Sequence, residues 1–160
     1  AYDTYLPGAD MLINGLLDAS KYSSVDTPEA REAIKILKTW DFRVSATSVE
    51  MTLAQFYLNA YYRSGKIPTM TENRRITPLG RFDYMSNKSR PEERLEVFQA
   101  AIEKLTEDFG SWETPWGEFN RYQRNDGEIN QEFNDLKPSL PVGMASGSWG
   151  ALASFGTRFG

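Results

Sequence analysis

The chain has 160 residues and a mass of 18.2 kDa, which fits one domain large enough to bury a hydrophobic core. Its net charge of −4 offers no attractive field to nucleic acid or to an anionic membrane surface. Cysteine and histidine are both absent, which excludes disulfides, thiolate nucleophiles, the usual zinc sites and any Ser-His-Asp triad within this chain.

The first 110 residues predict a helical region with helices at about 10–18, 27–40, 48–63 and 89–109. The first helix is short because Gly15 weakens it and a polar run follows from Ser20. In the second, Thr27 is the predicted N-cap and Pro28 the first helical residue. Its buried face has apolar residues at spacings of three and four, namely Ala30, Ala33, Ile34, Leu37 and Trp40.

The third helix begins near Ser48 and ends in Arg63-Ser64-Gly65. Its inward residues are predicted to be Val49, Leu53, Phe56, Tyr57 and Ala60. The rings of Phe56, Tyr57, Tyr61 and Tyr62 have two interpretations, a pocket lining or ordinary core packing. Rings at helical spacing favour the core.

Residues 67–88 show no sustained periodicity and contain two prolines, so we predict a long surface excursion. Arg74, Arg75 and Arg81 form a candidate anion site, although solvated arginines are the simpler interpretation. Asn87-Lys88-Ser89 matches the N-glycosylation triplet, which is frequent by chance.

Ser89-Arg90-Pro91-Glu92 has the pattern of a capping box, which predicts a strong helix start. The helix that follows buries Leu95, Phe98, Ile102, Leu105 and Phe109, and Gly110 is placed to end it.

Residues 111–160 predict an extended arm, because they contain seven of the twelve glycines and three of the four tryptophans. Short strands are possible near 117–122 and 149–154. The predicted fold class is therefore mainly α, with an irregular, glycine- and aromatic-rich C-terminal third that has room for short strands, and the chain is one domain or part of one.

The arm has no recognised catalytic motif. Two serines of the arm, Ser146 and Ser148, are flanked by glycines but lack the G-x-S-x-G spacing of a nucleophile elbow. The glycines of the arm also lack the G-x-x-x-x-G-K-[ST] pattern of a phosphate-binding loop. The carboxylates of the arm have two interpretations, a catalytic acid/base pair or simple exposure to solvent, and exposure is the better one. They are Glu113, Glu118, Asp126, Glu128, Glu132 and Asp135. The aromatic rings of the arm have two interpretations: a binding surface for a sugar or an acyl chain, or anchors that fix irregular backbone onto a larger body. We favour the anchors. The rings are Trp112, Trp116, Phe119, Tyr122 and Trp149.

The arm contains three distinctive motifs: Trp112-x-x-Pro115-Trp116-Gly117-x-x-Asn120-Arg121, PSLPVG at 138–143 and SGSWGALASFG at 146–156. They resemble the β-chain of the penicillin acylase family, particularly its aculeacin and acyl-homoserine lactone acylase branch. More loosely, Ile34-x-x-Leu37-x-x-Trp40-Asp41 is similar to a helix of the same chain. These enzymes are N-terminal nucleophile amidohydrolases with an αββα sandwich.

The resemblance implies an internal segment of a larger acylase β-chain. In the family, the nucleophile is the first β-chain residue, usually serine, whose own α-amino group acts as the base. Ala1 does not match it, and the oxyanion-stabilising asparagine precedes the Trp-Asp helix, so no catalytic, cofactor-binding or metal-binding residue is carried over and no cofactor is expected. The whole enzyme would cleave an acyl group from an amine, as in acylated lactones, lipopeptides or β-lactams.

Further expectations come from the same resemblance. The partners of the segment would be the α-chain and the rest of the β-chain. The enzyme would be periplasmic or secreted, and the segment alone would be inactive. The competing hypothesis is a non-enzymatic helical binding module that uses the tryptophan-rich tail. Neither hypothesis involves nucleic acid or a membrane span.

Overall fold

A computed structural model describes residues 5–119 as a bundle of helices with one small β-ribbon. The longer helices are α1 (Ala9–Tyr22), α2 (Pro28–Lys38), α3 (Val49–Ser64) and α5 (Pro91–Phe109). Between α3 and α5 lie strands β1 (Met70–Thr71) and β2 (Arg74–Arg75), helix α4 (Pro78–Asp83) and a π-helix (Tyr84–Lys88). The fold is therefore mainly α with two short strands, which confirms the predicted class.

Helix α1 is longer than the periodicity predicted. It continues through Ser20 to Tyr22 because the Ser20 hydroxyl donates a hydrogen bond of 2.6 Å to the Leu17 carbonyl, which satisfies the serine within the helix. Gly15 does not end the helix. A Cβ at this position would lie 2.4 Å from the Ser86 carbonyl oxygen, so the glycine allows the backbone of α1 to touch the π-helix.

The caps of α2 and α3 follow the sequence signals. The Thr27 hydroxyl accepts the Ala30 amide at 3.3 Å, and the Ser48 hydroxyl accepts the Met51 amide at 3.0 Å. Gly65 ends α3 in the left-handed region with φ 70°. The predicted α2 face, including Trp40, is buried throughout.

Helices α3 and α5 form the centre of the core, and α1 packs across α5. Helix α3 is buried on more than the predicted face, because Met51, Ala54, Leu58 and Tyr61 are covered as well. A helix that is apolar on most sides is covered by neighbouring elements on most sides, and α3 is such a helix. Of the four rings near its end, only Tyr62 is exposed, at 39%, so the core interpretation of Phe56, Tyr57 and Tyr61 is confirmed.

The prediction of a structureless excursion over 67–88 was wrong for its second half. Residues 78–88 are helical, and Phe82, Met85 and Ser86 are buried. The helix starts at Pro78 behind an N-cap at Thr77, whose hydroxyl accepts the Gly80 amide at 3.0 Å. The first half stays at the surface as the β-ribbon, which turns through Glu72 and Asn73 with φ 48° and 63°.

The predicted capping box at the start of α5 was also wrong. The N-cap is Arg90, and no side chain caps the helix. The Ser89 amide instead donates to the Tyr84 carbonyl at 2.8 Å, which is the bond pattern of a π-helix. Because Ser89 is buried and its hydroxyl donates to the Met85 carbonyl at 3.2 Å, it is unavailable as a cap, and the glycosylation triplet that it completes belongs to a helix end.

The prediction of a short strand near 117–122 was wrong for the residues that the structure describes, because residues 116–119 are helical. The strand predicted at 149–154 and most of the predicted arm at 111–160 lie outside the described residues. Among the helices of residues 5–119, none combines the length and hydropathy needed to cross a bilayer.

Candidate functional site

The rings at the start of the predicted arm are buried against the helices. Trp116 is fully buried, while Trp112 and Phe119 are nearly so. The Phe119 ring lies 4.9 Å from Phe56 and 5.9 Å from Phe109, centroid to centroid, in edge-on geometry. The Phe119 ring therefore anchors this segment to α3 and α5, and the burial of Trp112 and Trp116 agrees with an anchoring role for the rings. Docking of the arm onto a body larger than this chain stays a prediction, and Tyr122 and Trp149 lie outside the described residues.

Backbone hydrogen bonds connect the same segment to the loop before α3. The Trp116 amide donates to the Ser48 carbonyl at 2.9 Å, and the Gly117 amide donates to the Ala46 carbonyl at 2.8 Å. Two consecutive backbone bonds set the position and direction of both segments. The Trp112–Gly117 motif and the loop that follows Trp40-Asp41 thus meet at one junction.

The loop after Trp40 is shaped by an unusual backbone conformation at Phe42, whose φ is 60°. A left-handed conformation at an aromatic residue costs on the order of 1 kcal/mol or more, so its surroundings must hold it. The Phe42 carbonyl accepts the Leu6 amide at 2.8 Å, and its ring packs against Tyr5 and Trp40 at 6.4 and 5.3 Å. The Trp40 indole N–H donates to the Arg43 carbonyl at 3.1 Å, which closes the loop.

A groove of about 490 Å³ runs along this loop. Its charged residues are already engaged, because the Ser48 hydroxyl donates to Glu50 at 3.2 Å and the Asp41 carboxylate accepts the Arg43 amide at 3.0 Å. It is a polar surface beside the junction. It is lined by Thr39, Trp40, Asp41, Arg43, Val44, Ser45, Thr47, Ser48 and Glu50.

The sequence nominated no catalytic, cofactor-binding or metal-binding residue. Across residues 5–119 the structure brings together no group of acidic side chains that could hold a metal ion. Of the carboxylates considered in the arm, Glu113 and Glu118 are exposed and the others lie outside the described residues. The serine and glycine motifs at 143–150 lie outside them as well.

The structure adds a polar cluster that the sequence reading missed, in the core between α1, the π-helix and α5. At its centre is Arg94, which is only 6% exposed. Its guanidinium donates to the Ser89 hydroxyl at 2.9 Å, the Ser89 carbonyl at 2.6 Å and the Gly15 carbonyl at 3.0 Å. The sequence did contain a signal for the burial of Arg94. Phe98 and Ala101 follow it by four and seven positions, so all three residues lie on the same face of the helix.

Two tyrosines bind Glu93 beside this cluster. The hydroxyl groups of Tyr61 and Tyr84 donate to the two Glu93 carboxylate oxygens at 2.9 and 3.3 Å. Burial is the main cause that raises the pKa of Tyr61 and Tyr57 well above the ordinary value. Among the described residues, none provides a hydrogen-bond partner for the Tyr57 hydroxyl.

We expect Tyr57→Phe to be at least as stable as the wild type near pH 7, because the substitution removes a buried hydroxyl without a partner. The raised pKa keeps Tyr57 neutral in the folded state, whereas the unfolded chain ionises it near pH about 10. The ionisation of Tyr57 therefore leaves stability unchanged below that pH and favours the unfolded state increasingly as the pH rises above it. Tyr57→Phe should therefore lose less stability than the wild type between pH about 9 and 11.

Urea unfolding at several pH values measures this difference, with Tyr22→Phe as the control at a tyrosine that is 79% exposed. A loss above about 1 kcal/mol for Tyr57→Phe at pH 7 would mean that the hydroxyl makes a stabilising hydrogen bond after all.

Comparison with known proteins gives one result. A family model described as penicillin amidase matches residues 1–152. The searches of curated proteins and of solved structures returned no match.

Proposed function

The chain belongs to the penicillin amidase family, and from this premise we propose that it is part of an amidohydrolase that cleaves an acyl group from an amine. The observation that carries the proposal is the family match, which spans nearly the whole chain. Within the chain we assign a structural or substrate-shaping role, because its described polar groups form a scaffold and none is arranged as a nucleophile with a base.

The scaffold has a definite function in this proposal. The Trp112–Gly117 segment is bonded through its backbone to Ala46 and Ser48, in the loop that connects the Trp40-Asp41 segment to α3. Both segments thereby keep a fixed relation to α3. A catalytic centre outside this chain would depend on such a brace, because small displacements of positioning elements cost large factors in rate.

The finer assignments are also proposals. The tail motifs support the aculeacin and acyl-homoserine lactone acylase branch, with a lipopeptide, acylated lactone or β-lactam as substrate. The nucleophile and its oxyanion-stabilising groups would be supplied by other parts of the parent protein, whose α-chain and remaining β-chain are the partners. We propose a periplasmic or secreted location on the same ground.

Acid release from phenylacetyl and fatty-acyl amides tests the proposal. We expect the parent protein to hydrolyse at least one of these amides and the purified 160-residue chain to hydrolyse neither. Release of acid by the 160-residue chain, at a rate abolished by one substitution within it, would contradict the assigned role.

The alternative, a binding module that uses the tryptophan-rich tail, has a separate test. The burial of Trp112 and Trp116 takes two of its three tryptophans away from an exposed surface. The coding sequence on both sides decides between the two. A processing junction upstream with a strand-rich extension downstream supports the acylase, whereas stop codons or unrelated domains support the module.

A further inference from the structure

The β-ribbon and its flanks form a basic surface on an acidic protein. Residues 66–81 contain four basic residues and one acidic residue, a net charge of +3 in a chain of net charge −4. All four strand residues are exposed, and so are two large apolar side chains, Met70 at 55% and Leu79 at 54%. We call residues 66–81 the basic ribbon.

An acidic groove of about 500 Å³ lies between the α1–α2 connection and α5. Its charged lining is entirely negative: Asp26, Glu92, Glu96 and Glu103. Tyr22, which is 79% exposed, directly precedes Ser23 at the edge of this groove. Of the four exposed large hydrophobic side chains described, two belong to the basic ribbon and a third, Tyr22, is the sequence neighbour of a groove residue.

The two surfaces adjoin each other at one ion pair. The Lys66 ammonium, at the start of the basic ribbon, lies 3.7 Å from the Glu96 carboxylate of the acidic groove. In a dimer with two-fold symmetry, a patch contacts its complement on the partner, and that complement must lie beside it on the same chain. Adjacent surfaces of opposite charge meet this requirement.

We propose that this face is a self-association surface, on which the basic ribbon of one copy binds the acidic groove of a second copy. Arg74 and Arg75 would oppose the groove carboxylates, which fixes the orientation of the two copies. Met70 and Leu79 would pack against Tyr22 of the second copy and remove apolar surface from water. The inference is independent of the proposed acylase function.

Charge reversal on each surface tests the proposal by sedimentation equilibrium of the 160-residue chain. The wild type should form a dimer, and raising the salt concentration from about 50 to 500 mM should weaken it about tenfold or more. Arg74→Glu/Arg75→Glu and Asp26→Lys/Glu103→Lys should each be monomeric under the same conditions. The control Lys35→Glu/Lys38→Glu, with the same charge change at exposed positions of α2, should dimerise like the wild type.

A mixture of the two monomeric variants gives the decisive result. In the mixed dimer one contact is native and the other has both charges reversed, so both are attractive and a heterodimer should form. A monomeric wild type would overturn the proposal, as would a dimer insensitive to both reversals or a mixture that stays monomeric while circular dichroism shows each variant folded.

Discussion

Trp116→Ala should lower the free energy of unfolding by about 3–5 kcal/mol, the usual cost of deleting a fully buried aromatic side chain. The Trp116 ring is completely buried and lies 5.2 Å from the Phe119 ring, so its removal leaves a cavity beside the contacts to Phe56 and Phe109. Urea unfolding monitored by circular dichroism measures the loss.

Two matched variants define what this result means. Trp116→Phe keeps an aromatic ring and should lose less, whereas Tyr22→Ala removes a ring that is 79% exposed and should change stability by no more than about 0.5 kcal/mol. An equal effect of Trp116→Ala and Tyr22→Ala would show that the 112–119 segment is not docked on the helices in solution.

Arg94→Met should cost about 3 kcal/mol, because the new side chain is of similar length but cannot donate, so three buried hydrogen bonds to Ser89 and Gly15 are lost. Arg94→Lys should also be destabilising, since a single ammonium cannot reproduce the planar fork that reaches Ser89 and Gly15 together. Chemical denaturation of both variants measures these losses, and Arg90→Ala, at an exposed neighbouring arginine, is the control.

The opposite outcome has a clear meaning. Buried charged groups are often replaced by apolar side chains without loss when the surrounding structure repacks. Unchanged stability in Arg94→Met would therefore show that Ser89 and Gly15 find other partners, and that the contact between α1 and the π-helix does not depend on the guanidinium.

Patterns within one helix predicted the fold well where a single helix determines the outcome. The apolar face of α2, the caps at Thr27 and Ser48 and the glycine end of α3 depend on residues at most four positions apart. The same local signals failed at Ser89, because Arg94 and Met85 engage its hydroxyl in place of a helix cap. That competition depends on packing against α1, which a local pattern does not encode.

The candidate site shows the same division. The sequence identified the rings at Trp112, Trp116 and Phe119 and favoured an anchoring role, which their burial confirms. It did not predict which element they dock on, because the bonds from Trp116 and Gly117 reach backbone carbonyls, which carry no side-chain signal. The positive φ at Phe42 was hidden for a similar reason, since its support comes from Leu6 and Tyr5, which precede α1 and are remote from Phe42 in sequence.

The junction between Trp116 and Ser48 also constrains how the protein can be made. Ribosomes extend a chain at about 5–20 residues per second, and α3 is complete well before the 112–119 segment that covers it exists. The contact between Gly15 and Arg94, 79 residues apart, imposes a similar delay on α1. The apolar sides of α1 and α3 are thus synthesised seconds before the residues that cover them, and they stay uncovered on the nascent chain for that time.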